Sequence, residues 1–364
     1  MEAPAATPVA DQLPGICHPR LTAQLYGHTP VLERLEAQLS AGTLHHGLLV
    51  NGPEGIGKAT LVHALTRTLL AGPDTARDPQ AALAQLRAGS HAGLHTVRRA
   101  WNDKTGKFAN QIGVDDVRAV RQFLSHASGA REWRVVIVDA VDDLTINAAN
   151  ALLKSLEEPP ARCVFALIWH RRGRLLPTIR SRCLDLPVHS LERAPWGEAL
   201  TAAISASPDH PDHAKLQAAH EAANGDQLYR FTGGSVGAAI PALLFDHAGQ
   251  RARVDAIIAR LPNLDRSSVH MLTQLVPASV AGNEDFARLM HMTRASLATR
   301  IRAELTGDTG QAPAGAGRPA QRGLALATCY GDSITRQERA LALNLDLRGV
   351  LMEFYEDLAR AASI

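Results

Sequence analysis

The sequence predicts an α/β fold with a largely parallel sheet, followed by two helical regions, and three observations lead there. Strand-like and helix-like segments alternate from His46 to about Pro187. A glycine-rich turn joins an apolar strand to an amphipathic helix at Gly52–Lys58. Beyond Pro187 every periodic segment has helical spacing.

Each element follows from its pattern. Gly47 to Val50 is a short apolar strand, and the helix after the turn sets Leu61, Leu65 and Leu69 on one face. Val117, Val120 and Leu124 form a second helical stripe. Arg134 to Asp139 is a β-branched strand that ends in an acid. Thr145 is placed to cap a helix bearing Ala149, Leu152, Leu153 and Leu156, which Pro159-Pro160 stops. Val164 to Trp169 is a further buried strand. From Leu191 to Leu228 two or three helices are expected, broken at Ser207-Pro208 and Asn224-Gly225. Phe231 to Ser235 turns into another helix, and the last helix is read with Leu343, Leu347, Leu351, Phe354 and Leu358 on one side. Thr306 to Gly323, rich in Gly, Ala, Pro and Gln, reads as a loop or linker. The expected domains are 1–188, 189–244 and 245–364: a P-loop sheet domain, a helical lid and an all-α domain.

Composition excludes several classes. Hydrophobic residues at 46% and charged residues at 20% describe an ordinary globular chain of 364 residues. A net charge of +2 makes no case for nucleic acid by itself. Lysine occurs five times, so nearly all positive charge is arginine, a skew that reads as codon bias. Cys17, Cys163, Cys183 and Cys329 form no C-x-x-C pair, which argues against a disulfide framework and a four-cysteine zinc site. No apolar run suits a membrane span and Met1-Glu2-Ala3-Pro4 opens no signal peptide, so a cytoplasmic protein is expected.

Gly52-Pro53-Glu54-Gly55-Ile56-Gly57-Lys58-Ala59 matches the P-loop pattern G-x-x-x-x-G-K-[ST] except at its last position. Glycines let successive N–H groups turn toward phosphate oxygens, and the lysine reaches the terminal phosphates. Ala59 lacks the hydroxyl that ligates Mg²⁺. Thr60 is a poor substitute, because one helical residue is a rotation of about 100°. The acid strand ends Asp139-Ala140-Val141-Asp142. A metal-side aspartate survives there, while Ala140 stands where a general base belongs; such a loss costs about 10²–10⁴ in rate. Gly52, Gly55, Gly57, Lys58 and Asp139 therefore form a degenerate nucleotide site that is expected to bind ATP or ADP weakly or not at all, without hydrolysis by the chain alone.

Two further stretches carry a resemblance. Asn147 to Pro160 reads N-A-A-N-A-L-L-K-S-L-E-E-P-P, and Leu175 to Cys183 reads L-L-P-T-I-R-S-R-C. With the P-loop upstream, these resemble the AAA+ clamp-loader subunits of bacterial DNA polymerase III over roughly residues 20–240. The losses at Ala59 and Ala140 point to the non-hydrolysing delta-prime type rather than the gamma and tau ATPases. So does Gly234-Ser235-Val236-Gly237, which has no arginine where family ATPases sense phosphate. The four-cysteine zinc module of many relatives is missing, so no zinc is expected. The resemblance implies gamma/tau and delta subunits as partners, a sliding clamp and primed DNA reached through the complex, and a C-terminal oligomerisation collar. It also implies that Arg182 of the S-R-C run is an arginine finger reaching a neighbour's ATP site. An active gamma/tau-type ATPase is the alternative, and an unrelated P-loop protein a third.

Lesser candidates have plainer readings. His170 to Arg174 is a basic run that suits phosphate or simply a solvated loop. Asp209-His210-Pro211-Asp212-His213 reads as a lid loop before a metal site, His45-His46 as a polar strand start, and Cys183 as a buried strand residue.

Overall fold

Two strand segments, 134–139 and 163–169, are apolar on both faces, and such runs are stable only in the middle of a covered parallel sheet. The computed structural model places them there; it describes residues 8–72, 78–125, 132–170, 175–245, 247–276, 283–306, 318–343 and 345–364. The expected basic run 171–174 and most of the expected linker lie outside the described residues. The chain divides into two compact units, Met1–Leu244 and Phe245–Ile364.

In the first unit, α1 (Thr29–Ser40) leads to β1 (Gly47–Asn51), α2 (Lys58–Ala71) and α3 (Pro79–Ala88). Then come β2 (Leu94–Arg98), a two-stranded hairpin β3 (Trp101–Asn102) and β4 (Lys107–Phe108), and α4 (Val114–Ser125). β5 (Arg134–Asp139), α5 (Ile146–Glu157), β6 (Cys163–Trp169), α6 (Pro177–Arg180) and β7 (Leu184–Pro187) complete the layer. The main sheet is five-stranded in the order β2-β5-β6-β1-β7, and all its pairs are parallel. Side chains alternate across it. Leu48, Val50, Val135, Ile137, Val164, Ala166 and Ile168 face one core, and Leu49, Val136, Val138, Phe165 and Leu167 face the other.

Thr145 caps α5 as expected, its hydroxyl accepting from Ala148 N–H at 3.2 Å. α6 is a single turn opened by Pro177. Cys183 departs from its reading: it precedes β7 and is only half-buried, although burial still pushes its thiol up to about 12. The lid is α7 (Arg193–Ser205), α8 (His213–Ala222), α9 (Gly225–Thr232) and α10 (Val236–Leu244), packed around Trp196, Leu200, Leu216 and Ile240.

The second unit is helical: α11 (His247–Arg260), α12 (Arg266–Thr273), α13 (Asn283–Thr306), α14 (Arg318–Ala342) and α15 (Leu347–Ala362). Its core holds Phe286, Phe354, Leu351 and Leu358, and Tyr355 is buried with its hydroxyl 2.7 Å from Thr293 Oγ1. Two readings are corrected here. Arg318–Gly323, assigned to the linker on composition, opens α14, and Leu343 lies before α15 with its side chain exposed.

The N-terminal segment is pinned to the edge strand by a buried carboxylate. Arg98 Nη1 donates to both oxygens of Asp11 at 2.9 and 3.0 Å, and His18 Nε2 lies 3.2 Å away. Burial alone would raise this acid; His18 and Arg98 outweigh it and hold the carboxyl at about 2 against an ordinary 3.8. A depressed carboxyl contributes stability that is present above its unfolded value and lost as pH falls through the folded one. Stability is therefore expected to drop between about pH 4 and pH 2, by roughly 2 kcal/mol from this group. Urea midpoints against pH check this: Asp11→Asn should be destabilised at neutral pH and should show a shallower acid decline than wild type.

Candidate functional site

The loop from Gly52 to Gly57 sits where β1 gives way to α2, and its shape needs glycine. Gly55 has φ +74° and Gly57 φ +100°, the left-handed region that side chains disfavour. Ile56 is fully buried and anchors the turn.

Five consecutive carbonyls of this loop are engaged. Lys58 Nζ donates to Gly52 O at 2.7 Å and also to Pro53 O. The Ser235 hydroxyl donates to Glu54 O at 2.8 Å, and Gly237 N–H donates to Gly55 O at 2.9 Å. His28 Nε2 is 2.7 Å from Ile56 O, a contact that places the ring proton on that nitrogen. Burial holds His28 below its ordinary range, which keeps the ring neutral in this role. Burial also lowers Lys58 to about 8, against the opposing pull of Asp139, Glu54 and Asp142.

The lid meets the loop backbone to backbone. A Cβ on Gly237 would stand 2.7 Å from Gly55 Cα, and a Cβ on Gly55 would stand 2.4 Å from Ser235 Oγ. No side chain fits at 237 while the lid rests here. The arginine missing from this position is thus replaced by a residue that the contact demands.

The acid side is equally committed. Asp139 is largely buried at the end of β5, with His170 Nε2 3.6 Å from its Oδ1. Ala140 is buried. Asp142 Oδ2 accepts the His170 backbone N–H at 2.7 Å, and Asp143 is paired with Arg99 at 3.1 Å. Both neighbouring acids already hold partners, so neither is free to take the place of the missing base. The Ala59 side chain packs on the sheet core and offers no metal ligand. A cavity of about 290 Å³ opens beside the loop, lined by Asn51, Gly52, Pro53, Trp169, His170 and His189 among others.

Arg182 follows α6, away from this loop in sequence. Its guanidinium contacts Glu157 Oε1 at 2.8 Å and donates to Thr178 O at 2.9 Å, and its side chain is about 36% exposed. Arg180 instead pairs with Asp185 at 3.0 Å.

The structure brings together Gly52, Gly55, Gly57, Lys58 and Asp139. The partners His28, Ser235 and Glu157 were missed in the sequence, because nothing local marks them. Among the described residues the one His/Cys/Asp/Glu group close enough to hold a metal is Asp11, His18 and His63, not the 209–213 run. Its chemistry does not suit a cation. His18 Nδ1 accepts the Arg20 N–H at 3.0 Å, so Nε2 carries the proton, and Arg98 already occupies Asp11.

Residues 27–192 match the family described as "DNA polymerase III, delta subunit". The chain is 37% identical over 180 residues to the DNA polymerase III subunit delta' of Escherichia coli K12, covering 47% of this chain and 50% of that protein. It is 36% identical over 160 residues to the subunit delta' of Pseudomonas aeruginosa, covering 43% and 47%. A gamma/tau subunit of Mycobacterium bovis matches at 31% over 176 residues, covering 48% and 29%. The chain spans about half the length of the delta' relatives it matches. Over this region it is delta-prime-like, as the motifs at 147–160 and 175–183 implied. No described helix is long and apolar enough to cross a membrane.

The glycine contact has a direct test. Gly237→Ala should push the lid off the loop and cost about 1–3 kcal/mol, as overpacking does. Hydrogen exchange should then quicken at Gly237 N–H; exchange unchanged from wild type would show that the lid does not rest on this contact.

Proposed function

We propose that this chain is a non-hydrolysing, delta-prime-type subunit of a DNA polymerase III clamp loader. In this role it works with gamma/tau and delta subunits to place the sliding clamp on primed DNA. The observation that carries the reading is the loop itself. Its carbonyls are engaged by Lys58, the lid and His28, and no competent metal ligand or base completes it. ATP or ADP would have to compete with the chain's own contacts for Lys58. The delta-prime likeness of residues 27–192 supports the same assignment. The division at 188 and 244 and the collar role of residues 245–364 belong to this proposal.

Arg182 is the residue through which such a subunit acts on its neighbour. Its guanidinium presents a fork suited to oxyanions and is already held by two oxygens, Glu157 Oε1 and Thr178 O. In an assembled ring the γ-phosphate of the next subunit replaces Glu157, and charge developing in transfer is offset by the cation.

Two measurements decide the reading. The purified chain should hydrolyse ATP at background; turnover above about 1 s⁻¹ would favour the gamma/tau-type alternative. In the assembled complex, Arg182→Ala should slow clamp- and DNA-stimulated hydrolysis at the one site that borrows it, by about 10³–10⁵ there. Arg182→Lys should rescue poorly, and Arg180→Ala should resemble wild type. Equal hydrolysis by wild-type and Arg182→Ala complexes, with assembly verified, would reduce this chain to a scaffold.

A further inference from the structure

A second charged locus lies away from the loop, on the flank formed by the short 3₁₀ turn Pro19–Leu21, α2, α3 and β2. These four elements carry Arg20, Lys58, Arg67, Arg87 and Arg98 and contain no Asp or Glu. The two arginines with an assigned task are accounted for: Lys58 serves the loop, as a lysine, and Arg98 holds Asp11. Arg20, Arg67 and Arg87 remain, and among the described residues none of them has a carboxylate partner. Three guanidinium groups collected without an acid are unusual, since each must find oxygen acceptors and they repel one another.

The geometry holds them in place. Arg20 Nε donates to Arg87 O at 3.1 Å, and Arg67 Nη1 approaches Arg20 O at 3.5 Å. The Arg20 guanidinium lies over Gly89, its Nη1 3.3 Å from where a Cβ would stand. Arg20 and Arg67 then edge one small cavity with His63, Thr66, Leu86 and Leu94, and the cavity has about 10 Å³ of room, enough for one oxygen-sized group. His63 is buried and makes no hydrogen bond among the described residues; its ring only meets that of His18, edge-on at 5.6 Å.

We propose that Arg20, Arg67 and His63 form a binding site for a phosphate-type oxyanion, with Arg87 at its rim. One oxygen would enter the cavity and the rest of the anion would bridge the two guanidinium forks, as planar arginines do with phosphate. The electrostatics agree in sign. Burial and the positive charges of His18, Arg67 and Arg20 hold His63 down at about 3, so it stays a neutral donor; Asp11 pulls weakly the other way. Arg67 is lowered by burial and by Arg87, a strain that a bound anion relieves. The same surroundings oppose a cation at Asp11, His18 and His63, where donor atoms alone would suggest a metal. This site is independent of the clamp-loader reading.

The test is the unfolding midpoint of the full chain in inorganic phosphate against chloride at equal ionic strength. Phosphate is expected to raise it by about 2–4 °C when well above its Kd. Arg67→Gln and Arg20→Gln should each lose that increment, while Arg87→Gln keeps most of it. In chloride, Arg67→Gln should unfold no earlier than wild type, because an unpaired charge has been removed. If either variant fails to fold, the other still decides, with broadening of the phosphate ³¹P resonance as a second readout. A 5′-phosphorylated oligonucleotide set against its unphosphorylated twin separates a carried phosphate from the free ion. Stabilisation by either phosphate source that depends on Arg67 or Arg20 supports the site. No increment from either source, or one that survives in both variants, overturns it.

Discussion

Everything at the nucleotide loop depends on where its outward carbonyls find donors. A buried carbonyl without a partner costs about 1–3 kcal/mol, so a six-residue turn with five orphans would not hold its shape. Here the donors come from three separate elements: Lys58 at the start of α2, His28 just before α1, and Ser235 with Gly237 at the start of α10. The loop, the N-terminal helix and the lid are thereby joined through one stretch of backbone. The glycines at 55 and 237 follow from that joint, since a Cβ on either would enter the other element.

Much of the fold was legible in the sequence because burial is periodic where the sheet is central. β5 and β6 alternate residues between two cores, and each core demands an apolar side chain, so the strands appear as unbroken β-branched and aromatic runs. The half-exposed edge strand β2 and the two-residue strands of the hairpin leave no such trace. Composition misled at 318–323, where Gly, Ala, Pro and Gln suggested a linker although the helix begins at Arg318. Leu343 fitted the spacing of α15 by extrapolation, yet the chain breaks before Leu347. For the site, Lys58 and Asp139 were legible because their motifs are local. His28 and Ser235 were not, since their task is set by an approach across more than 170 residues in the case of Ser235 and Glu54.

The arginine bias of the chain gains a physical distinction from the structure. Most described arginines sit in ordinary pairs on helices, such as Arg251 with Asp255 and Arg300 with Glu304, worth little individually at exposed positions. Arg98 is different, because its carboxylate is buried and its pairing fixes the chain's start against β2. Arg20, Arg67 and Arg87 differ again, since codon preference explains why they are arginine but not why four neighbouring elements lack every acid. Charge balance within an element set therefore separates structural arginines from those available to a ligand.

Arg182 and Glu157 show how such availability is kept without leaving a charge unsatisfied. A guanidinium cannot lose its proton in a protein, so Arg182 always requires oxygen acceptors. It takes Thr178 O from the single turn of α6 and the carboxylate that ends α5. Helix C-termini favour a cation, which biases the side chain to this place before any partner arrives. Both members are partly exposed, so water screens their attraction and the pair exchanges readily for a stronger oxyanion. A fully buried pair would hold the arginine too firmly, and a fully solvated one would leave it to wander through many rotamers. On the proposed reading, the half-exposed pairing is what lets a chain with a closed loop of its own keep an arginine ready for another subunit's phosphate.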